Sequence, residues 1–394
     1  MLAYLLAFAV LLAALALRVT SPRARFTAGA AEPDPAEGRR LIPPFVGLAL
    51  YVLLIVLASA SATGEVGFVA VTVIAIGWLC GLVVAAVTGR WLAALSPFEA
   101  IGWLVDRRSR GRGGERDEER PEAPTWTAAA GLFAFLWFWL VYGLRAPNDR
   151  EMAVFLCVYA VAVTAGIAVW GRGWLRRGEP YEAVFALVGW RSLAHRGAVP
   201  GTAALVAVLL GGVAFDGLSQ TNWWLDVLGT KTGFALDAVN TIGLLWTTVV
   251  VGAAIAGAAR VAARLAASDD VASITERFAV AVVPLAVACW FAHELNTVLI
   301  DAQNFIALAS DPLGRGWDLF GTIENATNYA ILTPVQTTTV GAVAILAGGT
   351  GGAVLAHDAA FGSFRPRAAL RAQWPLVLTL MIGVVTATVM LLGT

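Results

Sequence analysis

Apolar residues run in ten long blocks separated by short charged or glycine- and proline-containing connections. None of the blocks shows the strict alternation of a half-buried strand. A helix rises about 1.5 Å per residue and must cover roughly 30 Å of hydrocarbon, so runs of about 20 apolar residues predict membrane-crossing helices. The blocks lie at 2–17, 43–62, 66–87, 125–145, 152–170, 202–218, 238–259, 278–301, 330–355 and 374–393. The first, Leu2 to Leu17, has no basic residue ahead of it and no small-residue cleavage site behind it, so it reads as an uncleaved anchor. The expected fold is an all-α integral membrane protein.

Composition agrees with this pattern and excludes a soluble fold. Hydrophobic residues make up 59% of the 394 positions and charged residues only 14%. The formal net charge of zero gives no footprint for nucleic acid, and the lipid bilayer is the partner the composition demands. Cys80, Cys157 and Cys289 are odd in number and each lies in an apolar run, which argues against a disulfide framework.

The placement of charge along the chain is more informative than its total. Of the 27 basic residues, 23 fall in alternate connections; the others hold only Arg145, Arg150, Lys231 and Arg315. Basic residues stay on the cytoplasmic side, so this asymmetry predicts a protein of the cytoplasmic membrane with both termini outside.

The connections differ in character. The stretch at 107–124, RRSRGRGGERDEERPEAP, has little to bury and predicts a disordered cytoplasmic linker. The two long outer connections, 216–237 and 302–329, interleave aromatics with acids and amides and predict ordered interfacial segments. WLAALSPFEA at 91–100 aligns without a gap on WLRRGEPYEA at 174–183, so 43–106 and 125–196 read as a parallel repeat. In both copies a proline precedes an acid at helix-starting spacing, predicting cytoplasmic interfacial helices.

The eighth block carries the residues most costly to place in a bilayer. FAHELNTVLIDAQN holds His293, Glu294, Asn296, Asp301, Gln303 and Asn304. An ionisable group at membrane depth costs at least about 2–3 kcal/mol unless it meets a partner or water, which makes His293, Glu294 and Asp301 candidate catalytic residues. The bland alternative is hydrogen bonding between helices near a helix end. Cys289 lies four residues before His293, but two ligands fall short of a metal site. Gln220, Trp223, Trp224, Asp311 and Asp318 in the outer connections are candidate substrate-binding residues. His293, Asp216 and Asp301 are candidate ligands for a divalent metal, and the same acids could serve a histidine base. At least one of Asp216, Asp301, Asp311 and Asp318 is expected beside His293 in an outward-facing polar cavity. Motifs of the form H-E-x-x-H, C-x-x-C, G-x-x-x-x-G-K-[ST] and G-x-S-x-G are absent from the sequence, and Gly348 to Gly352 reads as a flexible or closely packed span end.

LASDPLGRGWDLFGT at 308–322, GLSQTNWW at 217–224 and a histidine within a span together resemble the multi-pass membrane proteins of high-GC bacteria labelled fenitrothion hydrolase. The likeness extends over most of the chain in the order of its spans. It departs at the start, where family members open with a longer His- and Gly-containing segment, and after His293, where this chain is more acidic. The resemblance implies hydrolysis of a phosphorothioate or phosphate ester with a small hydrophobic, organophosphate-like substrate. It carries no catalytic residues with it. The same polar face also suits a carrier of a small solute, ion or proton, and polar residues that only pack helices suit a scaffold subunit.

Overall fold

In the computed structural model the described residues are 42–62, 67–88, 95–110, 126–142, 147–189 and 199–393, and among them every regular element is helical. The longer ones, in chain order, are α1 (Ile42–Ala60), α2 (Phe68–Thr88), α3 (Pro97–Arg110), α4 (Trp126–Tyr142), α5 (Asp149–Trp170), α6 (Pro180–Val188), α7 (Thr202–Ser219), α8 (Asn222–Leu228), α9 (Phe234–Ala266), α10 (Val271–Ser310), α11 (Pro334–Ser363) and α12 (Pro366–Leu392). Eight of these, α1, α2, α5, α7 and α9 to α12, are long and apolar enough to cross a membrane. They coincide with eight of the ten expected blocks. The fourth block is the shorter apolar helix α4, which widens into a π-helical turn at Phe138–Tyr142. The first block lies outside the described residues.

Large apolar side chains stay exposed along the outer faces of these helices, among them Leu50 and Val56 on α1, Val158 and Val161 on α5, and Leu245 and Val249 on α9. In water such continuous apolar faces would drive association, whereas against lipid they are the natural exterior. The chain is a multi-pass α-helical membrane protein.

Helix ends depart from the apolar blocks in an instructive way. α10 has 40 residues and α9 has 33, so they extend about 60 and 50 Å, well beyond one hydrocarbon thickness. The polar residues Asp301, Gln303 and Asn304, read from the sequence as lying at and beyond the span's end, are helical to Ser310. α11 likewise continues to Ser363, so Gly348 to Gly352 lie in mid-helix. α3 continues to Arg110, which makes the first four positions of the expected 107–124 linker helical; 111–124 lie outside the described residues.

The chain divides into two compact units, and the division falls within α10. One unit holds α1 to α6 with residues 296–331. Its interior is aromatic: Trp78, buried in the π-helical turn Thr72–Cys80, stands edge-on to Phe135 and Tyr181. Phe98, Val163, Ile167, Trp174 and Leu175 form a second cluster, against which Tyr51 and Tyr159 pack. The two expected interfacial helices start at their prolines, as α3 at Pro97 and α6 at Pro180. Glu179 caps α6 by accepting from the backbone N–H groups of Tyr181 and Glu182, at 3.2 and 2.5 Å, and also accepts from the Tyr159 hydroxyl. In α3 Glu99 is held by Arg172, whose Nε lies 2.5 Å from its carboxylate.

Asp149 shows how a charge is accommodated in this unit. It stands in the first turn of α5 and reaches the start of α2, where its Oδ1 accepts from Val69 and Ala70 N–H at 3.1 and 3.0 Å. From the first turn of α5 the carboxylate thus caps the N-terminus of α2. Gly67 makes the approach feasible, since a Cβ there would sit 2.1 Å from the Asp149 carboxylate.

The second unit holds α7 to α9, α10 to Leu295, α11 and α12. Small residues bring its helices into near backbone contact. A Cβ on Gly211 of α7 would meet the Thr248 backbone of α9 at 2.6 Å, and Thr247 donates its hydroxyl to Gly211 O at 2.8 Å. Gly348 and Gly352, one turn apart on α11, lie against the α10 backbone at Pro284 and Ala281 in the small-xxx-small manner of membrane helices. Without that spacing α11 could not come close enough for dispersion to hold the pair.

Candidate functional site

His293 and Glu294 leave α10 toward Asp216, which stands near the C-terminal end of α7. Trp290 and Leu209 fix the mutual position of the two helices: Trp290 lies one turn before His293, and its indole N–H donates to Leu209 O at 2.9 Å. Leu209 lies two turns before Asp216, so one hydrogen bond between the helices sets the height at which the polar residues meet. His293 Nε2 is 3.0 Å from Asp216 Oδ2. The Asp216 side chain is fully buried and His293 is 14% exposed. Glu294 is buried beside them, and one ligand atom from each of the three residues falls within 4.8 Å of the others.

Gln220, in the turn after α7, completes the group: its Nε2 is 2.6 Å from the same His293 Nε2 that faces Asp216. A carboxylate and an amide therefore converge on one ring nitrogen. Ser219 and Thr221 hold this turn by donating their hydroxyls to Asp216 O and Leu218 O.

His293 also lines a cavity of about 400 Å³ within this unit. Its walls come from α7, α9, α10, α11 and α12 and include Val213, Gly217, Val250, Cys289, Leu380 and Met390. Apart from the imidazole and a few hydroxyls the lining is apolar, so the cavity suits a compact hydrophobic molecule presented to a polar group at its wall. Gly217 leaves room there, since a Cβ would lie 3.8 Å from His293 Cε1 and 3.6 Å from Met390 Sδ. The α9, α11 and α12 contributions carry no sequence signal, because an apolar residue facing a cavity looks the same in sequence as one facing lipid.

The remaining sequence candidates make other contacts. Asp301 belongs to the other compact unit, where it hydrogen-bonds Asn304. Of the metal candidates His293, Asp216 and Asp301, the first two join Glu294 in the one group of three such side chains among the described residues whose ligand atoms lie close enough to hold an ion. Asp311 and Asp318 cap turns within their own connection. Asp311 accepts from Arg315 and Gly316 N–H at 2.9 and 2.6 Å; Asp318 accepts from the Ser310 hydroxyl at 2.7 Å and from Thr322 N–H at 2.9 Å. Slight desolvation pushes Asp311 up, but the backbone N–H groups outweigh it and hold its carboxyl below the usual value. Asp318 is lowered first by the Ser310 hydroxyl and then by backbone N–H groups. Trp224 is buried edge-on to Phe215 and donates to Asn240 Oδ1 at 3.0 Å, a packing role, while Trp223 is exposed in the manner of an interfacial anchor.

No family model, curated protein or solved structure matches the chain.

Proposed function

We propose that this is a membrane-embedded hydrolase that draws a small apolar ester into the cavity and cleaves it beside His293. The observation that carries the reading is that one residue, His293, belongs both to the apolar cavity and to the polar cluster. A buried carboxylate against an imidazole orients the ring and stabilises its protonated form, which is what a general base needs when it takes a proton from water. Gln220 is placed to hold the nucleophilic water or the ester oxygen, and Glu294 adds a second carboxylate. Cavity size and lining suit a phosphate or phosphorothioate triester with an aromatic leaving group, the substrate class that the family resemblance implies. The distribution of arginines supports a site on the outer side of the cytoplasmic membrane, so substrate would arrive from the outer leaflet.

Proteoliposomes carrying the protein should release nitrophenolate from a dialkyl nitrophenyl phosphorothioate, and His293→Ala should reduce the rate at least about 100-fold. Release that proceeds unchanged in His293→Ala would contradict the reading. A carrier of a proton or small solute is the second reading, favoured by an imidazole–carboxylate pair buried within membrane-spanning helices. It predicts pH- or solute-gradient dissipation by the same liposomes with no ester cleavage.

A further inference from the structure

We infer that Asp216, His293 and Glu294 bind one divalent transition-metal ion, zinc foremost, with a coordination position open to the cavity. The inference rests on the reading of the same site as the reaction centre, with His293 then serving the water as metal ligand in place of base, but its test does not depend on catalysis.

The contacts at His293 Nε2 are the first ground. Asp216 Oδ2 at 3.0 Å, in an approach that falls short of hydrogen-bond geometry to the ring, offers only lone pairs when ionised. The Gln220 amide nitrogen at 2.6 Å offers only protons, and it requires the same nitrogen to carry a lone pair. Turning the amide over, which exchanges its oxygen for its nitrogen, leaves two acceptors competing for one ring proton. A cation relieves this crowding by taking the imidazole lone pair and a carboxylate oxygen, and the amide is then released from the ring nitrogen.

The donor set and its spacing are the second ground. Zinc accepts imidazole nitrogen at about 2.0–2.1 Å and carboxylate oxygen at about 2.0–2.2 Å, which places neighbouring ligand atoms roughly 3–4 Å apart. The three donors already lie within 4.8 Å of one another, so side-chain rotation of about an ångström closes the shell. Two carboxylates also match the double charge of the ion, which makes their burial at membrane depth less costly. A third ground is the number of protein ligands. Three leave a tetrahedral ion one free position, and since His293 lines the cavity, that position can meet water and a bound ester. Cys289 lines the same cavity without belonging to the ligand group.

Full-length protein in detergent, stripped with a chelator and titrated with zinc, tests this. One zinc per chain is expected, with affinity falling at least about 100-fold in both His293→Ala and Asp216→Asn. His357→Gln, altered at a buried histidine bonded to Gln373, should bind as the wild type does. Because a substitution could cost folding, cobalt is added to the wild type as well: a visible ligand-field band that zinc displaces is expected. No saturable zinc binding and no cobalt band, or zinc binding that survives both site substitutions in folded protein, overturns the inference. Zinc binding without ester cleavage would uphold it while removing the hydrolytic reading; cleavage by stripped protein that binds no zinc would do the reverse.

Discussion

At the scale of single residues, the costs of burying charge explain which side chains were legible. His293 and Glu294 stand out in the sequence because they interrupt an apolar run, and the structure places both beside the buried Asp216. Asp311 and Asp318 are as acidic and as close to the apolar runs, yet they serve turns. Nothing in the sequence separates a carboxylate that caps backbone N–H groups from one that faces a ligand. Their lowered pKa values have a measurable consequence. A carboxylate whose folded-state pKa lies below its unfolded value stabilises the fold above the unfolded value, and the contribution is lost as pH falls through the folded one. The 311–323 turns should therefore hold their protection above about pH 4 and lose it in more acid solution. Amide exchange at Arg315, Gly316 and Thr322 reads this directly; protection that does not change with pH would contradict it. Asp149→Ala should cost about 2–4 kcal/mol, since it strands two N–H groups at the start of α2. Gly67→Ala should destabilise as well, because its methyl would overlap the carboxylate. Thermal unfolding in detergent compares both with the wild type.

At the scale of elements, hydropathy located the helices but not their ends. It marks where a chain can lie in lipid, whereas a helix ends where its backbone hydrogen bonding does. That is why α10 and α11 overrun their apolar blocks. The start of α6 was legible, because Glu179-Pro180-Tyr181-Glu182 carries its own capping chemistry. What the pattern did not show is that Glu179 is buried. Burial, and then the neighbouring Glu182, push its carboxyl up to about 8. Tyr51, Tyr159 and Tyr181 surround it without supplying a positive charge. Here the sign is opposite to that of the turn acids. The folded state holds a proton that the unfolded chain releases near pH 4.5, so stability falls as pH rises from about 4.5 and levels off above about 8. Glu179→Gln keeps an accepting oxygen for the cap and should flatten this dependence. An unfolding midpoint equally pH-dependent in both proteins would contradict the account.

At the scale of the whole molecule, the multi-pass architecture was readable because a bilayer requires backbone groups to be satisfied within each span. Small residues then set how the helices pack. Gly348→Leu should drive α11 off α10 and lower folded yield, since a side chain there meets the Pro284 carbonyl. A reporter fused within 111–124 should lie in the cytoplasm, and one after Leu228 outside; the same side for both would overturn the topology drawn from the arginines. The cavity was not legible, because its α9, α11 and α12 walls are written in the same apolar residues that face lipid. It nevertheless carries the functional account, and filling it should act independently of His293. The most direct test is the rate of nitrophenolate release by reconstituted wild type, His293→Ala and the cavity-filling Ala214→Trp, each checked for folding. The account predicts release by the wild type and loss in both variants, through chemistry in one and access in the other. Release that is absent from all three, or equal in all three, would contradict it.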